Sequence, residues 1–162
     1  MNSLTNQVAI VTGGGRGIGR AMARTLAGAG AQVAVVARSR NELEETVSEI
    51  SAGGGRATAF PADVADADAI RSAIEEIERR MGPVDFLVNN AGILGPLRPL
   101  ADSDPAAWWR GMEVNVRGPM LATHAVLPGM IARRRGRIVN VSSAGARPHP
   151  RIFRATLQVR PH

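Results

Sequence analysis

Thr12-Gly-Gly-Gly-Arg-Gly-Ile-Gly19 follows directly on Gln7-Val-Ala-Ile-Val-Thr12 and leads into Ile18, Met22 and Leu26, which recur at helical spacing up to Gly28 and Gly30. A short apolar run rich in β-branched residues and closed by a glycine cluster reads as a buried parallel strand ending in a tight turn. Strand, glycine loop and helix in that order form the one context in which such a loop reads as a phosphate cradle. Gly13 permits the sharp exit from the strand, Gly17 lets the backbone approach a pyrophosphate, and Gly19 lets the helix pack closely on the sheet. The helix beginning near Ile18 then offers its free N–H groups and positive end to the phosphates. Turn-forming glycines also follow strands in proteins that bind nothing, so the loop needs support from the rest of the chain.

Working outward, Gln32-Val-Ala-Val-Val-Ala37 is a second buried strand, and Leu43, Val47 and Ile50 mark one face of a helix that stops at Gly53-Gly54-Gly55. Arg56 to Phe60 reads as a third strand, before a helix faced by Ile70, Ile74, Ile77 and Met81 and ended by Gly82-Pro83. Val84 to Asn89 is a fourth strand. A long helical region begins near Pro105 with Asp104 or Ser103 as its cap. Gly118-Pro119 is expected to break or bend it before it resumes towards Arg133. Arg137 to Val141 is a fifth strand. Strands alternating with long helices imply right-handed crossovers and a parallel sheet covered on both faces.

The 162 residues, 44% hydrophobic and 21% charged, suffice for one core and not for two. The absence of cysteine excludes thiol catalysis, Cys-ligated zinc and iron–sulfur clusters, and no other metal site is visible. There is no Tyr, and all 20 basic residues are Arg, so no phenolate and no ε-amine is available. No apolar run approaches the roughly 20 residues of a membrane span, and Met1 to Gln7 is unlike a secretory signal; a cytoplasmic protein without a membrane partner is expected. Charge is unevenly placed. Up to Met130 there are 12 Arg against all 14 acids, a net −2, whereas Ile131 to His162 hold eight Arg and no acid. A basic tail can hold phosphate backbones, but the body has no basic stripe interleaved with aromatics, so no nucleic-acid partner is expected.

Five segments in order resemble the short-chain dehydrogenase/reductase (SDR) family over roughly residues 5–147. They are the Gly-x-x-x-Gly-x-Gly loop, Asp63-Val64 after strand three, Asn89-Asn90-Ala91-Gly92 after strand four, Asn115 in Glu-Val-Asn-Val-Arg-Gly, and Gly136-Arg-Ile-Val-Asn-Val-Ser-Ser143 at strand five. The resemblance implies an α/β fold with a Rossmann-like doubly wound parallel sheet, truncated after the fifth strand. It would occupy residues 1–147, leaving 148–162 as a basic tail foreign to the family. It also implies that Thr12, Gly13, Arg16, Gly17, Ile18 and Gly19 bind a cofactor. Asp63 would bond the adenine amino group, Val64 would line that pocket, and Asn90, Ala91 and Gly92 would run beside the ribose. Independently, ligands of an open α/β sheet bind beyond the carboxyl ends of its strands. Gly13, Ala37, Asp63, Asn89 and Ser142 all fall at such ends and are expected to converge on one crevice. Asn89 and Asn90 have a second reading, as amides that satisfy buried backbone groups between strands.

A ribose 2′-hydroxyl calls for a carboxylate at the end of the second strand, whereas a 2′-phosphate is repelled by one and attracted by arginine. The strand ends in Ala37-Arg38-Ser39-Arg40, with no acid. Arg38 is placed to meet the phosphate and Arg16 to reach it from the loop, so NADP(H) is expected ahead of NAD(H). The bland reading of Arg38 and Arg40 is a pair of solvated charges, with Arg40 pairing with Glu44.

The resemblance further implies hydride transfer between nicotinamide C4 and a small-molecule carbonyl or alcohol substrate. In the family a Tyr is the general acid/base, a Lys lowers its pKa, a Ser binds the substrate oxygen and an Asn holds a water relay. This chain supplies Asn115 and the pair Ser142-Ser143. Spacing to Gly145 favours Ser142 as the oxygen donor; alignment on Asn140-Val-Ser-Ser favours Ser143. Both stand. The Tyr of a Tyr-x-x-x-Lys motif would fall near Ala155 or Thr156, and nothing orients His149 or His162 to replace it. Arg151 to His162 has no acid and no helical periodicity, and back-translating Arg154 to Val159 with a one-base shift can give Gly-Tyr-Ala-Ala-Ser. A frameshift within 145–152 is therefore the expectation, and reading the gene in all three frames tests it.

Two functional readings follow: a truncated NADP(H)-type oxidoreductase without normal turnover, or a catalytically silent dinucleotide-binding module. A dimer or tetramer through the long helix is implied by the resemblance, and an uncovered fifth strand carrying Ile138, Val139 and Val141 invites self-association. Trp108, Trp109, Met112, Met120 and Met130 read as interior or interface residues, and His124 as a helix-face residue.

Overall fold

In a computed structural model, which describes residues 4–142, five parallel strands lie in the order β3-β2-β1-β4-β5. They are β1 (Val8–Thr12), β2 (Gln32–Ala37), β3 (Arg56–Pro61), β4 (Val84–Asn89) and β5 (Arg137–Asn140). The connecting helices are α1 (Gly17–Gly28), α2 (Arg40–Ala52), α3 (Ala67–Met81), α4 (Pro105–Met112) and α5 (Gly118–Ala132). This is the Rossmann-like, doubly wound arrangement expected of the sequence, through its fifth strand. The tail and Ser143 lie outside the described residues.

The pleat sorts the strand residues between two cores. Val8 and Ile10 of β1, with Ala34 and Val36 of β2, pack with Ile70, Ile74 and Ile77 of α3 and Ala122, Val126 and Met130 of α5. Ala9, Val11, Val33 and Val35 turn the other way, onto Ala23 and Ala27 of α1 and Leu43 and Ile50 of α2. Burial on both faces explains why these strands read as unbroken apolar runs rather than alternating ones.

One residue breaks the pleat. Val8 pairs with Val84 but Ala9 pairs with Phe86, so Asp85 is a bulge in β4. Val84 and Leu87 consequently share one core while Phe86 and Val88 reach the other. The Asp85 carboxylate accepts the Val8 N–H at 3.1 Å and pairs with Arg135 at 3.0 Å. Arg133 donates to the neighbouring Val84 carbonyl, so the end of α5 is tied to the start of β4.

Helix starts follow the sequence closely. Ser39 caps α2 by accepting the Glu42 N–H, Asp66 caps α3, and Asp104, rather than Ser103, caps α4 ahead of Pro105. α1 instead begins at Arg16 with no side-chain cap, which leaves its first N–H groups without a side-chain acceptor.

The expected break at Gly118-Pro119 does not occur. Helical dihedrals continue across Met112, Arg117 and Gly118, and a five-residue π turn over Glu113–Arg117 joins α4 to α5. Pro119 lacks an N–H and crowds the carbonyl four residues before it, at Asn115; the wider turn absorbs that conflict without ending the helix. Trp109 is exposed and stacks on Trp108 at a centroid distance of 6.2 Å. Met120 and Ile131 are also exposed on this helical stretch, Met130 is buried, and His124 faces solvent. Val139 on β5 and Val141 just past it are exposed.

Replacing Asp85 with Ala strands the Val8 N–H and frees Arg135. Urea denaturation of Asp85→Ala should show a loss of about 1–3 kcal/mol with an unchanged m-value.

Candidate functional site

The carboxyl ends of β1, β2, β3 and β4 open onto a crevice of about 690 Å³, centred where the strand order reverses between β1 and β4. Its volume lies within the range of small-molecule and cofactor sites. Gly13, Arg16, Ile18, Gly19, Arg38, Asp63, Val64, Asn90, Ala91 and Gly92, all expected from the sequence, line it. So does Ala37, as the strand-end argument requires. Thr12 is buried beneath the lining, Gly17 is exposed beside it, and neither these two nor Asn89, Asn115 and Ser142 are among the lining residues. Ser142 is exposed just past β5.

The floor of the crevice is a set of hydrogen bonds between the ends of β1 and β4. The Thr12 hydroxyl accepts the N–H groups of Asn90 and Ala91, each at 3.0 Å, and donates to the Val88 carbonyl. The Asn90 amide donates to the carbonyls of Thr12 and Gly13 at 2.9 and 3.4 Å. Gly13 turns the chain out of β1 at φ +65°, and a Cβ at Gly19 would run into the Gly13 carbonyl and the Asn90 amide. The uncapped N-terminus of α1 stands over this floor, with the exposed side chain of Ile18 at its mouth.

The structural reading holds for Asn90, whose amide meets backbone carbonyls, whereas Asn89 bonds side chains and its Oδ1 has no hydrogen-bond partner among the described residues. Asn89 is buried, and its amide donates to Thr123 and to Asn140, tying β4 to α5 and β5. Asn115, at the centre of the π turn, grips both backbone groups of Ile93: its Oδ1 accepts the N–H and its Nδ2 donates to the carbonyl, each at 2.9 Å. The side-chain amide thereby fixes the chain just beyond Gly92.

Four charged or polar residues at the site were not singled out from the sequence. Glu42 lines the crevice and faces Arg16 at 3.8 Å, so an acid does stand near the end of β2, in the first turn of α2. Arg40 pairs with Glu44 as expected. Arg110 of α4 forms an ion pair with Asp63 and a second with Glu113. Arg20 and Thr46 both bond the Gly15 carbonyl from behind the loop. Arg20 sits one helical turn after Arg16, a spacing the sequence does display; nothing local connects Arg110 to Asp63.

Asp63 is the most strongly conditioned carboxylate of the crevice. Partial burial opposes its charge, but the Ala65 N–H, the Arg110 guanidinium and the charge of Arg38 together hold its carboxyl below the ordinary value near 3.8.

An open parallel sheet with a glycine loop and a bare helix N-terminus at its switch point defines a Rossmann-type nucleotide-binding protein. The sequence matches the short chain dehydrogenase family over residues 7–153, and the chain belongs to that family. It is 48% identical over 145 residues to a short chain dehydrogenase of Pseudocercospora fijiensis, covering 88% of this chain and 47% of that protein. It resembles the crystal structure of a metagenomic short-chain oxidoreductase in complex with NADP, with a TM-score of 0.87 and 42% identity over 91% of this chain and 67% of the other. An NAD+-bound xylitol dehydrogenase superimposes with a TM-score of 0.87 at 32% identity, covering 93% and 58%. The chain spans about half the length of the curated relatives it matches. Among the described residues, no helix is long and apolar enough to cross a membrane.

Because its folded pKa is lowered, Asp63 contributes stability in full above its ordinary value and loses it as pH falls through the folded value. Unfolding curves of wild type and Asp63→Asn should therefore differ most near neutrality and draw together in acid. A difference that stays constant over that range would contradict this account.

Proposed function

We propose that this chain binds NADP(H) across the crevice and represents the nucleotide-holding part of an SDR oxidoreductase acting on a small carbonyl or alcohol substrate. The observation that carries this reading is the bare start of α1 set over the welded ends of β1 and β4, with Arg38 at the end of β2. The glycine loop and the N–H groups of Gly17, Ile18 and Gly19 suit a diphosphate, since donors and helix dipole face the same way. Arg38 suits a 2′-phosphate better than a hydroxyl, and the rim acid Glu42 is already matched by Arg16. Asp63 remains ionised beside Arg110 and keeps lone pairs for an adenine amino group. Asn90, Ala91 and Gly92, held by Thr12 and by the Asn115 grip on Ile93, would form the wall beside the ribose.

When bound, the nicotinamide would supply or accept the hydride; the protein's task is to orient it and to manage a proton on the substrate oxygen. Ser142 or Ser143 would hold that oxygen, and Asn115 would steady the wall opposite. No Tyr or Lys occurs in the 162 residues to deliver the proton. The second reading for this chain by itself is a catalytically silent dinucleotide-binding module. The family association through the long helix, as a dimer or tetramer, and a cytoplasmic location belong to the same proposal.

NADPH titrated against Trp108 and Trp109 fluorescence should saturate, with NADH binding more weakly and no carbonyl-dependent NADPH oxidation. Arg38→Asp should lower the NADPH-to-NADH preference by about tenfold, the scale of one charge-assisted contact to phosphate. Unchanged relative affinities would refute the NADP(H) assignment.

A further inference from the structure

Behind the glycine loop, the Gly15 carbonyl is met by three donors. Arg20 Nε and Nη2 lie at 3.0 and 2.6 Å, and the Thr46 hydroxyl at 3.1 Å. Thr46 is fully buried, and its proton is shared with the Glu42 carbonyl at 3.0 Å. The Arg20 guanidinium is itself held by Glu45 at 3.0 Å and Glu49 at 2.7 Å, so the loop, α1 and α2 meet at one arginine. Its fork is only about a fifth exposed, with a side-chain accessibility of 21%.

We infer that Arg20 is a positioning residue for diphosphate binding: with Thr46, it holds the Gly15 carbonyl turned out of the crevice, an inference that rests on the dinucleotide reading above. A carbonyl oxygen facing an anionic diphosphate would repel it, and a loop of three consecutive glycines has little else to stop that peptide from rotating. Because the trans peptide is planar, pinning the oxygen towards Arg20 and Thr46 also points the Arg16 N–H away from them. Two carboxylates and the Glu42 carbonyl on α2 engage Arg20 Nη1 and Nη2, which keeps its charge from being spent on ligand and its geometry fixed. Arg20 therefore acts through the loop rather than by touching the cofactor.

Calorimetric titration of the full chain with two probes tests this: NADPH, which carries the diphosphate, and 2′-AMP, which carries the 2′-phosphate without it. Arg20→Met should weaken NADPH about tenfold while 2′-AMP stays within about twofold, because the lost charge-assisted bonds orient only the diphosphate loop. Arg20→Lys should recover part of the loss, and Thr46→Val, which leaves every ion pair intact, should weaken NADPH in the same selective manner by a smaller factor. Equal losses for both probes, or a Thr46→Val chain that binds NADPH as wild type does, would overturn the clamp and leave the dinucleotide reading standing. A wild-type chain that takes up no NADPH would overturn that reading, and the clamp with it.

Discussion

Thr12 and Asn90 hold together two strand ends that are 78 residues apart in sequence. Beyond its last rung a parallel pair has no ladder to keep it from splaying, and here side chains take over where the backbone stops. The Thr12 hydroxyl accepts from two successive amides of the β4 exit, while the Asn90 amide returns two donors to the β1 exit. Gly19 lets α1 descend onto that junction, and the crevice is the space left above it. The Asp85 bulge belongs to the same construction. By inserting one residue it advances β4 relative to β1, so that Val11 pairs with Val88 and Asn90 arrives beside Thr12.

The helix termini divide according to what they must do. α2, α3 and α4 satisfy first-turn N–H groups with Ser39, Asp66 and Asp104, of which Ser39 also lines the crevice. α1 keeps its donors unspent at the one place where four strand ends converge. Under the proposed function a diphosphate would take up these donors, since free N–H groups at a helix start favour an anion. The charges nearby are arranged to avoid spoiling this: Glu42 is opposed by Arg16, and Asp63 by Arg110.

The strands, most helix limits and the lining of the crevice were legible because their signals are local. Unbroken apolar runs closed by glycine mark doubly buried strands, and the second strand was read to the residue. The π turn was not legible. Gly118-Pro119 announces a conflict in the helix, but whether a break or a wider turn resolves it depends on packing, here the close approach of Gly118 to Val64 and burial of Val114 in the core. Glu42 escaped notice at the rim because the acid-free stretch Ala37 to Arg40 ends before it, and only the helix brings it back to the loop.

The sequence by itself determined a parallel α/β sheet with a glycine loop after its first strand, since periodicity and glycine placement act over a few residues. Tertiary structure alone decided the partners: Arg110 with Asp63, Asn115 with Ile93, Arg20 and Thr46 with Gly15. A polar side chain carries no mark of which distant backbone group it will satisfy. That choice is made when the helices dock on the sheet and water is no longer there to satisfy the alternatives.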